Sequence, residues 1–153
     1  MKTSELKCTD LRIGNLINYF GDIVKVDTID LFDGKERVGG KTKDGEHVYD
    51  KPTYFDPIEL TEEMLVKIGF YKKSIGDALY RYYKEVCIDN YSYLFDYVVI
   101  PKDEYISLKV TKAENEDDEV DYFTIFYNDN IKNLHQLQNA YYCLTNEELE
   151  VKL

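Results

Sequence analysis

The chain of 153 residues lacks tryptophan and contains only three cysteines and three prolines. Cys8, Cys87 and Cys143 lie far apart and form no C-x-x-C pair, so the sequence predicts neither a disulfide framework nor a zinc site. Reduced thiols are the simpler interpretation. No run approaches the roughly 18 apolar residues that a membrane helix needs, and the polar start of the chain has no signal-peptide core. We therefore expect a cytoplasmic protein that makes no membrane contact.

Basic residues are scarce as well, with 19 Lys and Arg against 30 Asp and Glu, for a formal net charge of -11. A protein that binds nucleic-acid phosphates needs a basic surface, so direct nucleic-acid binding is not expected. The imbalance is uneven: residues 1–75 hold 12 bases and 14 acids, whereas residues 76–153 hold 7 bases and 16 acids.

Six of these acids crowd the segment from Glu114 to Asp121. The run lacks the residue order of a calcium loop, and a solvated hairpin tip is the favoured interpretation. If the tip instead contacts a basic partner, the candidate residues are Glu114, Glu116, Asp117, Asp118 and Glu119.

Hydrophobic periodicity predicts an α+β protein. Up to residue 56, short alternating segments with glycine turns are typical of a small SH3-like barrel or a bent antiparallel sheet, with a long polar loop or two turns between residues 33 and 46. Thr61, followed by two glutamates, predicts the start of a short helix over 61–68 that Gly69 ends. An antiparallel sheet follows. The predicted division is 1–56 and 57–153, within two subdomains or one continuous domain.

A second, longer helix is predicted at about 131–144, packed on that sheet. Its apolar stripe has helical spacing and consists of Ile131, Leu134, Leu137, Tyr141 and Leu144. The Asn128–Asn130 turn is expected to cap its start. At its far end, Asn146 either stops the helix in the left-handed conformation, or Thr145 opens a further turn. The alternation after Leu149 predicts an edge strand.

The most distinctive polar pattern lies on this helix, where one flank carries His135, Gln138, Asn139 and Tyr142. Imidazole and amide groups in this arrangement can bind a peptide backbone or a polar ligand. The alternative is that they satisfy the loops and sheet edges on which the helix packs. We favour the alternative, because the flank adjoins the apolar stripe.

Tyrosine is abundant, with 15 residues, and tyrosine is enriched at protein interfaces. Tyr80 and Tyr82 share one face of a predicted strand. Tyr83 therefore lies on the opposite face, where it is predicted to be exposed. The tyrosines are expected to divide about evenly between the core and an interaction surface.

Three groups of motifs resemble a family of small proteins that recurs in Bacteroidetes genomes, prophages and phages. The motifs are Leu11–Asn15, Pro57–Glu63 with Gly69-Phe70, and Leu134–Asn139 with Leu144-Thr145. The resemblance is weakest between about 71 and 130, and the His-Gln-Leu-Gln-Asn motif is its most specific part. Family members often carry glycine where this chain has Asn146. The resemblance implies a mobile-element setting in a bacterial cytosol and assigns no catalytic residue.

Catalysis has little support in the sequence. A cysteine could pair with His47 or His135 in the folded chain, but Cys87 and Cys143 lie among residues that look like core, and the usual nucleotide-binding and hydrolase motifs are missing from the sequence. We expect a non-enzymatic accessory protein, without metal or cofactor, that binds a host or phage protein and is compatible with oligomers. The alternatives are an inhibitor of a host defence or nucleic-acid enzyme, by nucleic-acid mimicry or active-site occlusion, and a small enzyme of unknown class.

Overall fold

The computed structural model describes residues 5–76, 79–88, 91–100, 105–116 and 119–152. The chain is mostly β, with two five-stranded antiparallel sheets and a C-terminal helix, which confirms the predicted fold class. It forms two compact units. The first comprises Met1–Leu60 and Lys132–Leu149, and the second comprises Thr61–Ile131 and Glu150–Leu153. The predicted boundary after residue 56 stays a prediction.

The first unit contains a curled sheet with the strand order β4-β3-β2-β1-β5. The strands are β1 (Leu16–Tyr19), β2 (Asp22–Phe32), β3 (Lys35–Thr42), β4 (His47–Asp50) and β5 (Phe55–Asp56). Much of the predicted polar loop is therefore strand β3. Gly40 makes this pairing possible, because a Cβ there would collide with the Lys25 carbonyl of β2. The core of the sheet is formed by Leu6, Leu11, Ile17, Val24, Val26, Val38 and Phe55.

The second unit contains helix α1 and a sheet with the order β10-β9-β8-β7-β6. Its elements are α1 (Glu62–Lys67), β6 (Tyr71–Gly76), β7 (Leu79–Ile88), β8 (Tyr91–Ile100), β9 (Tyr105–Glu116) and β10 (Glu119–Asn128). The predicted ends of α1 are confirmed. The Thr61 hydroxyl accepts a hydrogen bond from the Met64 amide, and Gly69 takes a positive φ of 90°.

Helix α2 (Leu134–Thr145) belongs to the first unit, where it contacts β1. The helix predicted at about 131–144 is confirmed, but it begins at Leu134, and the expected Asn128–Asn130 cap is wrong. Lys132 instead accepts a hydrogen bond from the Leu60 amide, which keeps this stretch extended until Asn133 caps the helix. The left-handed stop is confirmed, since Asn146 has a φ of 57°.

The C-terminal segment after α2 forms no strand over the residues described there, 149–152, so the predicted edge strand is wrong for them. Across the described ranges, no helix is long and apolar enough to cross a membrane.

Candidate functional site

The polar flank of α2 faces the N-terminal segment of its own unit. Gln138 is only 2% exposed. Its Oε1 accepts a hydrogen bond of 2.9 Å from the Leu16 amide, and its Nε2 donates one of 3.5 Å to the Gly14 carbonyl. The side chain therefore satisfies backbone groups at the beginning of β1.

Asn139 binds the same N-terminal segment through Asn15, which is 0% exposed. Asn15 Nδ2 donates to Asn139 Oδ1 over 2.9 Å, and Asn139 Nδ2 donates to the Asp10 carbonyl over 3.1 Å. Asn15 Oδ1 also accepts a hydrogen bond from the Arg12 amide. Both amide side chains are thus used by the fold.

Tyr142 supports a cation above its ring. The Arg12 guanidinium carbon lies 4.0 Å from the ring centroid, and the same guanidinium binds both carboxylate oxygens of Glu148 at 2.6 and 2.9 Å. Hydrogen bonds from Arg12 lower the pKa of the Glu148 carboxyl. Gln138, Asn139 and Tyr142 therefore hold the segment around residues 10–16, as the structural alternative requires.

His135 is the exception on this flank. The residue is 3% exposed, and its Nδ1 is buried without a hydrogen-bond partner among the residues that the structure describes. Burial lowers the pKa of its imidazole below the usual value, and the charge of Asp10 opposes that effect only in part. The ring is therefore neutral at pH 7, with one N–H donor and one lone-pair acceptor.

A cleft of about 380 Å³ opens beside His135. Its lining combines two carboxylates, one ammonium, two amides, one aliphatic side chain and the imidazole, from Glu5, Asp10, Lys7, Asn133, Gln136, Leu6 and His135. The lining is polar and charged, and the unpartnered Nδ1 of His135 is itself closed to solvent.

The turn between β1 and β2 carries an exposed aromatic side chain that the sequence analysis missed. Phe20 and Gly21 have positive φ values of 51° and 102° in a two-residue hairpin turn. Asparagine, aspartate and glycine favour such a turn, whereas a bulky residue in the left-handed region is strained. Yet Phe20 is 74% exposed, so burial does not compensate for the strain.

Phe20 belongs to a small aromatic cluster on the first sheet. Its ring centroid lies 4.8 Å from that of Tyr19, in an edge-to-face arrangement, and 6.1 Å from that of Tyr54. Tyr19 in turn packs 4.9 Å from the buried Phe55. We call Tyr19, Phe20 and Tyr54 the Phe20 cluster. In the sequence, the only indication of the Phe20 cluster is the Phe20-Gly21 pair, which lies between two segments of alternating apolar residues.

Tyr83 and Tyr82 lie on opposite faces of the second sheet, as predicted. Tyr83 pairs with Tyr71 of β6 and Asp96 of β8, whereas Tyr82 pairs with Tyr97 of β8. The side chain is half-buried rather than freely exposed, since its ring lies 5.6 Å from that of Tyr71. Tyr83 therefore offers only part of its ring to a partner.

The acidic segment forms the end of the β9–β10 hairpin. The register places Glu114 opposite Asp121 and Glu116 opposite Glu119. Asp117 and Asp118 lie outside the described residues. The described parts of the hairpin therefore bring acidic positions together in opposing pairs.

The cysteines differ from the sequence prediction. Cys87 and Cys143 are exposed rather than buried: the alternation of β7 and the outer face of α2 carry them away from the core. Burial raises the pKa of the Cys8 thiol, which disfavours the nucleophilic thiolate.

His47 lies 3.2 Å from an Asp27 carboxylate oxygen. Within the described ranges, no group of three His, Cys, Asp or Glu side chains is arranged to hold a metal ion.

Comparison with known proteins gives no relative: no family model matches the chain, and neither the curated proteins nor the solved structures yield a match. The roles of the residues therefore rest on the geometry described above.

Proposed function

We propose that this chain is a non-enzymatic accessory protein of a phage or mobile element that acts by binding another protein in the bacterial cytoplasm. The motif resemblance to small phage and prophage proteins supports the setting. The observation that carries the binding function is Phe20, an exposed aromatic side chain in a strained left-handed turn.

A second turn in the same sheet shows what this backbone conformation normally carries. The turn between β2 and β3 has the same form, with positive φ at Asp33 and Gly34, and there the chain uses the residues that the conformation favours. At the β1–β2 turn it retains phenylalanine, although asparagine would fit the backbone better. Residues held in unfavourable conformations are concentrated at functional positions. An aromatic anchor for a partner explains both the strain and the exposure.

The surroundings of the Phe20 cluster indicate the chemistry of the partner. Asp22 and Asp56 lie opposite Tyr19 and Asn18 in the strand register, and Asp50 accepts a hydrogen bond from the Tyr19 hydroxyl. A protein that inserts Phe20 into an apolar pocket therefore faces three nearby carboxylates. We infer a partner whose apolar pocket has a basic rim.

Site-specific photo-crosslinking tests this proposal. A benzophenone amino acid replaces Phe20 in one variant and Leu31 in another; Leu31 is exposed to a similar extent at the opposite end of the 11-residue strand β2. The proposal predicts one partner crosslinked from position 20 and much less from position 31. Equal yields at both positions, crosslinks from position 31 alone, or none at either would contradict it.

The opposing acidic positions of the β9–β10 hairpin favour a second candidate, the mimicry of nucleic acid for a basic host enzyme. Like charges that lie opposite one another destabilise a strand pair, and a binding role would explain why the chain has them. Mimicry predicts that replacing Glu114, Glu116 and Glu119 by glutamine weakens partner binding and reduces its dependence on salt. Binding that is unaffected by these changes would exclude mimicry through this hairpin.

A further inference from the structure

The outer edge of the second sheet is an exposed, apolar strand. Strand β10 ends the order β10-β9-β8-β7-β6, so its outer backbone groups pair with no further strand among the described residues. Its side chains Phe123, Ile125 and Tyr127 are all exposed. The segment Tyr122–Asn128 contains no charged residue, proline or glycine. A segment of this composition at a sheet edge pairs readily with a strand of another chain.

The other edges of the two described sheets are protected against such pairing. Strand β6 carries Lys72 and Lys73, and charged side chains, lysine above all, discourage edge-to-edge contact. Strands β4 and β5 are only four and two residues long, and very short edge strands offer little backbone for pairing. Strand β10 has ten residues and carries no charge over Tyr122–Asn128. It is therefore the edge at which an added strand would bind.

A β-bulge in β10 restricts which strand can pair with it. The register with β9 shifts between Thr124 and Phe126, which leaves Ile125 as the extra residue. Because of this shift, Phe123 and Phe126 lie on the same face of the sheet, whereas residues three apart in a regular strand lie on opposite faces. A strand that pairs along the whole of β10 therefore needs a matching irregularity at the same place. A second copy of β10 supplies one.

The distribution of charge along β10 selects an antiparallel arrangement of two copies. Its acidic residues, Glu119 and Asp121, lie within the first three positions, and the rest of the strand is uncharged. Parallel copies in register would bring like charges together, which destabilises a strand pair. Antiparallel copies instead place the acidic end of each strand beside the uncharged end of the other.

We propose that two copies of this chain associate through β10, antiparallel about a two-fold axis beside Ile125, and join their five-stranded sheets into one. The two bulges then meet at the axis, and the strand halves on either side keep their faces aligned. In this register Phe123 of one copy lies opposite Phe126 of the other, so the exposed ring of Phe123 gains an aromatic neighbour. A two-fold contact closes on itself, so assembly stops at two copies.

Sedimentation velocity of the purified chain at about 1–300 µM tests the association. We expect a reversible dimer with a dissociation constant of about 10–100 µM, because a single strand pair lies at the small end of specific interfaces. A chain that stays monomeric over the whole range would overturn the proposal, and so would assemblies larger than a dimer.

A matched pair of variants locates the contact. Ile125→Lys brings two ammonium groups together near the axis and should weaken the dimer at least about tenfold. Ile75→Lys is the control, because Ile75 is the bulged residue of the opposite edge strand, β6, and is 46% exposed, against 40% for Ile125. This control should leave the dissociation constant within about twofold. Equal effects of the two substitutions would contradict a contact through β10.

Photo-crosslinking tests the direction of the strands and does not depend on the lysine variants. A benzophenone amino acid replaces Tyr127, and an isotope-labelled second copy distinguishes links between copies from links within one chain. Antiparallel pairing predicts attachment near Tyr122 of the second copy. Attachment near position 127 itself, or outside β10, would overturn the proposed arrangement.

The same crosslinking variant separates self-association from the binding of another protein at this edge. If position 127 captures a different protein in cells while the purified chain stays monomeric, a strand of that protein occupies β10 and the proposal is wrong. The contact uses no residue of the Phe20 cluster, so it can fail without affecting the proposed function.

Discussion

Replacing Phe20 by asparagine separates the binding role of this residue from its role in the fold. The Phe20–Gly21 turn becomes Asn-Gly, the sequence that a two-residue turn with two positive φ values prefers. An ordinary side chain pays about 1–2 kcal/mol for the left-handed conformation, and asparagine avoids much of this cost.

The loss of the ring offsets part of that gain. Phe20 is 74% exposed, so about a quarter of the roughly 1.5–3 kcal/mol available from full burial is lost. Its edge-to-face contact with Tyr19 and its looser contact with Tyr54 contribute about 0.5 kcal/mol at this exposed position. We therefore expect Phe20→Asn to raise the free energy of unfolding by between about 0 and 1 kcal/mol.

Urea unfolding followed by far-UV circular dichroism measures the change. The midpoint should stay the same or rise, with an unchanged denaturant slope. Phe20→Ala is the control, because it removes the ring but keeps a side chain in the strained conformation, and it should be slightly less stable than the natural protein. If Phe20→Asn is instead destabilised by 1 kcal/mol or more, the ring is a packing element, and the inference from strain to binding is wrong.

Three further predictions concern the flank of α2. Gln138→Leu removes the acceptor of the Leu16 amide and should lower stability by about 1–3 kcal/mol, with faster hydrogen exchange at that amide; unchanged exchange would contradict the contact. Alanine substitutions of Asn15 and Asn139, singly and together, should show a coupling of about 1 kcal/mol from their shared hydrogen bond, and strictly additive losses would exclude it. Burial lowers the pKa of folded His135, so the unfolded chain binds more protons below pH of about 6.5. The contribution of His135 to the free energy of unfolding should be fully present above that pH and decrease as the pH falls towards the folded pKa. His135→Gln should remove this part of the pH dependence. An equal pH dependence in both proteins would contradict the burial of a neutral imidazole.

Local patterns predicted those features that depend on neighbouring residues. The caps of α1 follow from Thr61 and Gly69, and the end of α2 follows from Asn146, because capping is decided within one helical turn. The faces of β7 follow from the two-residue alternation that separates Tyr82 from Tyr83.

Long-range packing decided what the sequence could not predict. An apolar stripe shows that α2 covers a surface but not which surface. The hydrogen bonds of Gln138 with Leu16 and of Asn139 with Asn15 join the helix to the first unit. The sequence could not show which groups the side-chain amides of Gln138 and Asn139 bind, since Asn15, the partner of Asn139, lies more than a hundred residues away in the chain. The buried nitrogen of His135 and the strain at Phe20 become visible only once the surroundings and backbone angles are known.

The affinity of the Phe20→Asn variant for the protein crosslinked at position 20 tests the central claim most directly. The natural chain, Phe20→Asn and the sister-turn control Asp33→Asn are titrated with that partner under identical conditions. Because an aromatic anchor contributes at least about 2 kcal/mol, Phe20→Asn should bind at least about thirtyfold more weakly, although its fold is as stable or more stable. Asp33→Asn should bind normally. Undiminished binding by Phe20→Asn would contradict the claim that this exposed, strained phenylalanine is the contact through which the protein acts.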